Sequence, residues 1–233
     1  WFFNLNEYGV VLEDDVIVSQ KCIETFSFLL NKYLNSKKFM SISSFNEFSN
    51  KKVESIYSLP VWRSWGWASW SNKWNYHLDF LEKIKDLNMW ELYKLLPRNL
   101  KSIYTVKLLK ACQLNLLDAW DYEFNFTHVV NKKSSLTIGG INTLVYGFDE
   151  SATHTINKDT IGIDFELFCE REIDLNQISK ISKNKNILLL KKCGFLYKNN
   201  NYRFSKIFSY LKFLLYTLIF RLRLIKRIIY KTL

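Results

Sequence analysis

The run Gly9-Val10-Val11-Leu12, followed at once by Glu13-Asp14-Asp15, restricts what this chain can fold into more than any other feature. A short, continuously apolar run reads as a buried strand, and buried strands of this kind belong to α/β sheets covered on both faces. Ser19 is placed to cap a helix in which Cys22, Phe26, Leu29, Leu30 and Tyr33 recur at helical spacing, and Phe39 to Ser43 suits a second strand. The β-α-β order predicts the α/β class, with those two strands as a parallel pair. In such sheets ligands sit beyond the carboxyl ends of the strands, so acids placed there face a binding crevice. Along an extended chain Glu13 and Asp15 project to one side and Asp14 to the other. Mg²⁺ and Mn²⁺ take oxygen ligands, commonly one or two carboxylates plus substrate phosphates, which is the chemistry of a bound nucleotide diphosphate. The same three acids also suit a plain solvated turn.

Length and charge bound the rest. The 233 residues, 48% apolar with two prolines, suit one folded domain with an appendage rather than disorder. Up to Asp174 there are 19 basic against 22 acidic residues; from Leu175 onward there are 14 basic residues and no acid. The net +11 therefore belongs to the tail, not the body. Cys22, Cys112, Cys169 and Cys193 are widely spaced, which argues against a zinc site or disulfide framework and fits a reducing cytosol. The opening Trp1-Phe2-Phe3 reads as a chain that begins inside a domain.

Beyond a polar linker from Asn46 to Lys52 lies the dense run Trp62-Arg63-Ser64-Trp65-Gly66-Trp67-Ala68-Ser69-Trp70. Helices are expected over about Asn72 to Leu87, Met89 to Leu96, Val106 to Leu116 and Asp118 to Val130. Leu136 to Tyr146 is β-like with a turn or bulge at Gly139-Gly140, and a polar loop runs from Gly147 to Thr155. From Phe204 the residues Ile207, Leu211, Leu214, Leu218, Leu222, Ile225 and Ile229 continue one apolar stripe on an otherwise basic helix. Spanning a bilayer needs roughly 20 apolar residues. Here the run from Ile207 to Phe220 is shorter and contains Lys212. The pattern fits a helix lying in an anionic membrane interface, or one docked on the body or a partner.

Four segments in order, Trp1-Phe2-Phe3 leading into Val11-Leu12-Glu13-Asp14-Asp15, Trp65-Gly66-Trp67-Ala68-Ser69-Trp70, Trp120-Asp121-Tyr122-Glu123, and Gly147-Phe148 with Ala152-Thr153-His154-Thr155, resemble a bacterial group of family-2-like, hemolytic-protein-like glycosyltransferases. More distantly they are similar to N-acetylglucosaminyltransferase I. The resemblance spans about residues 1 to 156 and implies a GT-A-type mixed sheet flanked by helices and incomplete at its N-terminus. Residues 1–175 would be the C-terminal portion of that domain and 176–233 a basic tail with its amphipathic helix. It implies Asp15 as ligand to Mn²⁺ or Mg²⁺, and Glu13 and Asp14 as contacts to the nucleotide and its sugar. Asp121 is the candidate base, with Glu123 its competitor because the related pattern W-D-D-W places Tyr122 where the second Asp stands. Either acid could instead brace its helix.

Other residues carry two readings each. Trp65 and Trp67 are candidate walls of the donor site, with Gly66 between them leaving room for a sugar, although dense rings are also core material. Arg63 suits a phosphate or a solvated surface. His154, on the Gly147 loop, is a candidate donor or metal contact; His77 and His128 sit in helical patterns and read as structural. The function implied is a metal-dependent, inverting glycosyltransferase that moves a sugar from a nucleotide-diphosphate donor to a glycan or lipid-linked acceptor, as in polysaccharide biosynthesis. Its expected location is peripheral, on the cytoplasmic face of the plasma membrane. The competing readings are a non-catalytic membrane-associated module and an inactive piece of such an enzyme. Nucleic acid is not an expected partner, because the tryptophans lie in the acidic body.

Overall fold

The computed structural model describes residues 2–45, 55–117, 119–139, 143–145, 174–179, 182–192 and 195. His154, the Gly147 loop and the amphipathic tail lie outside the described residues. What is described is an α/β arrangement with a six-stranded mixed sheet. In chain order the main elements are α1 (Phe2–Leu5), β1 (Tyr8–Val11), β2 (Val16–Val18), α2 (Gln20–Lys32), β3 (Phe39–Ser43), β4 (Ser55–Leu59), β5 (Trp67–Trp70) and α3 (Ser71–Ile84). They continue with α4 (Met89–Leu95), α5 (Ile103–Gln113), α6 (Trp120–Val130), β6 (Ser134–Ile138), β7 (Thr143–Val145), β8 (Asp174–Ser179) and α7 (Lys183–Lys192).

The helix of the first unit forms as expected, but its strand does not: β1 stops at Val11, leaves Leu12 41% exposed and is half-buried throughout, because among the described residues it lies at the edge of the sheet rather than inside it. Ser19 accepts a hydrogen bond from the Cys22 N–H and starts α2, whose inner face buries Cys22, Phe26, Leu29 and Leu30. The pairing of β1 with β3 does not form. The sheet order is β1-β5-β3-β6-β4-β8, so the Trp67–Trp70 strand lies between them, antiparallel to both. Strands β1 and β3 therefore run the same way as next-nearest neighbours, and the parallel partner of β3 is β6. The cause is the pattern of β5, in which all four residues are buried. Ala68 and Trp70 face the α2 side, where the Trp70 indole donates to the Leu30 carbonyl at 2.8 Å, while Trp67 packs on the opposite face. A strand that buries both faces must be internal.

Within the stretch expected to be β-like over Leu136 to Tyr146, the described residues form two strands in two sheets, since β7 pairs there with β2 in a separate ribbon. Gly139 follows β6 because the backbone of Ser55 passes there; a Cβ would lie 2.4 Å from the Ser55 oxygen. Helix α2 covers one face of the sheet, and Trp62, Trp67 and Phe124 build the core on the other. A further apolar cluster joins α3 to α7.

Both helical histidines are structural, as expected. The His128 Nδ1–H donates to the Phe124 carbonyl at 2.8 Å, so its Nε2 accepts from the Ser41 hydroxyl at 2.9 Å. His77 Nδ1 pairs with Thr127 at 2.8 Å. Burial lowers His77 to about 3 and His128 to about 4, and the neighbouring His128 adds to the effect at His77. The unfolded chain protonates both near pH 6.5, where the folded chain cannot, so the unfolded state binds more protons below that pH. Stability is thus full above about pH 6.5 and falls toward pH 4 by a few kcal/mol, since each tenfold loss of proton affinity is worth roughly 1.4 kcal/mol. Denaturant titrations at pH 7.5 and 4.5 check this, and His128→Gln should flatten the difference.

Candidate functional site

The acidic segment lies at the seam between the two sheets. Strand β1 ends at Val11, and the Val16 N–H donates to the Glu13 carbonyl at 3.1 Å to close a turn before β2 enters the smaller ribbon. The segment is a turn rather than an extended strand end, yet the division of the acids is the expected one: Glu13 and Asp15 are half-buried and Asp14 is exposed.

Helix α6 brings the second group of acids to the same place. Only three residues join its C-terminus to β6, so that end lies where β6 begins, and its N-terminus, with Asp121 and Glu123 in the first turn, lies beyond the other end of the strand. Because β1, β3 and β6 all point that way, this is the carboxyl-end pole of the parallel strands. The electrostatics agree. Burial raises the Glu13 carboxyl above the usual carboxylate range, the charge of Asp15 raises it further, and Asp121 and then Asp14 add to this; a hydrogen bond with the Ser64 side chain pulls the other way. Glu123 is raised by burial alone. Asp121 therefore belongs to the field of the acidic turn, to which Glu123 adds no resolved effect. Asp15 Oδ1 is buried with no hydrogen-bond partner among the described residues.

The loop from Pro60 to Gly66 reaches this pole through Ser64. Asn125 of α6 clamps Trp62 at two points, accepting from its N–H at 2.7 Å and donating to its carbonyl at 3.2 Å. The Ser43 hydroxyl donates to the Arg63 carbonyl at 2.7 Å and accepts from its N–H at 3.1 Å. These contacts hold Ser64 against Glu13. Neither Asn125 nor these serines stand out in the sequence, although a lone amide within the apolar face of α6 is the signal that marks Asn125.

Two expected wall residues have other work. Gly66 has φ +69°, and a Cβ there would lie 2.4 Å from the Ser44 hydroxyl, with Val18 and Leu12 next. Its missing side chain thus makes room for neighbouring strands, not for a sugar, and the left-handed conformation favours glycine in any case. Trp67 is 3% exposed and lies among Phe3, Trp62, Trp74, Trp120 and Phe124, with ring centroids 5.2 to 6.0 Å away. It is a core ring, because its strand is internal. Trp65 stays half-buried in the loop, edge-on to Phe45 at 4.7 Å. The ring that reaches the surface at this pole is Trp120, 39% exposed, next to Asp121 and packed on Trp62 at 5.1 Å.

Among the described residues no three His, Cys, Asp or Glu side chains converge closely enough to cage a metal unaided. The donors present fit the other arrangement, in which one or two carboxylates hold a hard cation whose remaining ligands are phosphate and water. Among the described residues no helix is long and apolar enough to cross a membrane. No protein-family model and no curated protein sequence matches the chain.

Proposed function

We propose that this chain belongs to a GT-A-type, metal-dependent inverting glycosyltransferase, which transfers a sugar from a nucleotide-diphosphate donor to a hydroxyl of a glycan or lipid-linked acceptor. The observation that supports this most is the shared field of Glu13, Asp15 and Asp121 at the carboxyl-end pole of the sheet, with one Asp15 oxygen buried and unpartnered among the described residues. Like-charged carboxylates held together in partial burial cost stability, and a cation removes that cost. Asp15, with Glu13 beside it, would hold Mn²⁺ or Mg²⁺, and the ion when bound supplies a Lewis acid that neutralises charge on a departing diphosphate. Asp121 is placed to take the proton of the acceptor hydroxyl. Trp120 offers an apolar ring face on which a sugar can rest beside that carboxylate.

A readout independent of turnover tests the metal site. Saturating Mn²⁺ with a nucleoside diphosphate should stabilise the chain by about 2.7 kcal/mol at a hundredfold excess over Kd, a rise of roughly 5 to 10 °C in Tm for a chain of this size. Asp15→Asn should abolish the rise. The folded-state pKa of Glu13 is raised, so its contribution to stability is present at low pH and lost as pH climbs through that value. Glu13→Gln should therefore leave the metal-free protein at neutral pH as stable as the parent, or more so. No Mn²⁺-dependent shift, or one that survives Asp15→Asn, would overturn the assignment.

A further inference from the structure

The opposite pole of the sheet is basic. Strands β3 and β6 are parallel neighbours, with Phe39 facing Ser134, so Lys37-Lys38 and Lys132-Lys133, which immediately precede them, emerge side by side. The pairs are held in place: the Ser134 N–H donates to the Lys38 carbonyl at 3.0 Å, and Lys133 Nζ donates to the Lys37 carbonyl at 2.8 Å. Lys73, from the first turn of α3, is near enough that the Lys133 charge, after burial, lowers its pKa. None of the five lysines has a carboxylate partner among the described residues, and the sequence has no acid between Glu24 and Phe45 or between Glu123 and Val145. Among the described residues Glu7, exposed ahead of β1, is an acid at this end of the sheet.

We infer that this five-lysine pole is a contact surface for an anionic lipid bilayer. Cations gathered with no carboxylate partner among the described residues are costly, and a negatively charged surface offsets that cost. The chemistry favours a diffuse anionic surface over a nucleic acid. The patch contains lysine and no arginine, so it supplies point charges rather than bidentate phosphate forks. Its exposed aromatic ring, Tyr76, has its hydroxyl engaged by Asn131 at 2.8 Å and the Lys133 ammonium over one face at 5.4 Å, so a single ring face is left where binding single strands uses a row of stacking rings. The basic tail adds charge of the same sign to the same chain. Contact through this pole holds the acidic pole about one strand length, roughly 17 Å, from the headgroups. This surface does not depend on sugar transfer at the other pole.

The test uses the whole chain and co-sedimentation with vesicles of phosphatidylcholine containing phosphatidylglycerol. The exposed residues are substituted together as Lys37→Gln, Lys38→Gln and Lys132→Gln, which leaves the tail and the hydrogen-bonded Lys133 intact. At about fivefold per lysine near an anionic leaflet, partitioning should fall on the order of a hundredfold, and the loss should shrink in high salt. A control removes the same charge from Lys83, Lys94 and Arg98 and should change partitioning only slightly. Unchanged partitioning in the first variant overturns the inference, as does an equal loss in the control. A larger loss of oligonucleotide binding than of vesicle binding overturns it in favour of a nucleic acid.

Discussion

Trp67→Ala is expected to cost about 3 to 5 kcal/mol of folding stability, enough to unfold a chain of ordinary marginal stability at physiological temperature. The side chain is buried against five aromatic rings drawn from α1, the Pro60–Gly66 loop, α3 and α6, so its loss opens a cavity that no single element can close by moving. The Trp62 ring meets it edge-to-face at 88° and would lose one of its three ring contacts, keeping Trp120 and Phe124. The indole N–H of Trp67 has no acceptor among the described residues, so Trp67→Phe removes volume without breaking an observed hydrogen bond and should cost markedly less. Trp120→Ala, at a half-exposed ring, should cost less still, on the order of 1 kcal/mol. Urea midpoints for the three variants check the ordering. A Trp67→Ala protein that kept parental stability while losing donor affinity would return this ring to the wall of the site.

The same residue shows where reading from sequence succeeds and where it stops. Gly9 to Val11, the Ser19 cap and the spacing of Cys22, Phe26 and Leu29 are local signals, and each specifies its element without help from elsewhere in the chain. Whether β1 touches β3 is not local. It depends on whether a third strand has the right faces to enter between them, and a run rich in tryptophan and serine with one glycine reads equally well as a ligand wall, a loop or an internal strand. Gly66 fails for a related reason: a missing side chain indicates a close approach but not what approaches, and here Ser44 does. The acidic turn is legible as a turn, because three consecutive carboxylates end an apolar run, although the same pattern suits a solvated turn with no ligand. The approach of Asp121 to that turn is not, because it follows from the short connection between α6 and β6 and from the parallel pairing of β6 with β3. The basic pole is hidden in the same way, as two lysine pairs nearly a hundred residues apart whose adjacency only the strand register creates.

That register also bears on which acid serves as base. On the proposed function, Asp121→Asn should lower turnover by a factor of about 10² to 10⁴, the range for loss of a positioned general base, with little change in donor affinity. Glu123→Gln should keep most of the activity. The two carboxylates share the first turn of α6 and so share the favourable field of the helix N-terminus, which by itself does not tell them apart. Their surroundings do. Asp121 acts on Glu13 across the pole, so it faces the place where a metal-bound diphosphate and its sugar would lie. Glu123 is raised by burial with no contribution from the acidic turn. A base must reach the acceptor hydroxyl from the pole side, and position decides before basicity does. Single-turnover rates with Mn²⁺ and a saturating donor separate the chemical step from binding. If Glu123→Gln stops that step while Asp121→Asn leaves it fast, the base is Glu123, and the substrate lies deeper between α6 and the Pro60–Gly66 loop than the shared field of Glu13 and Asp121 indicates.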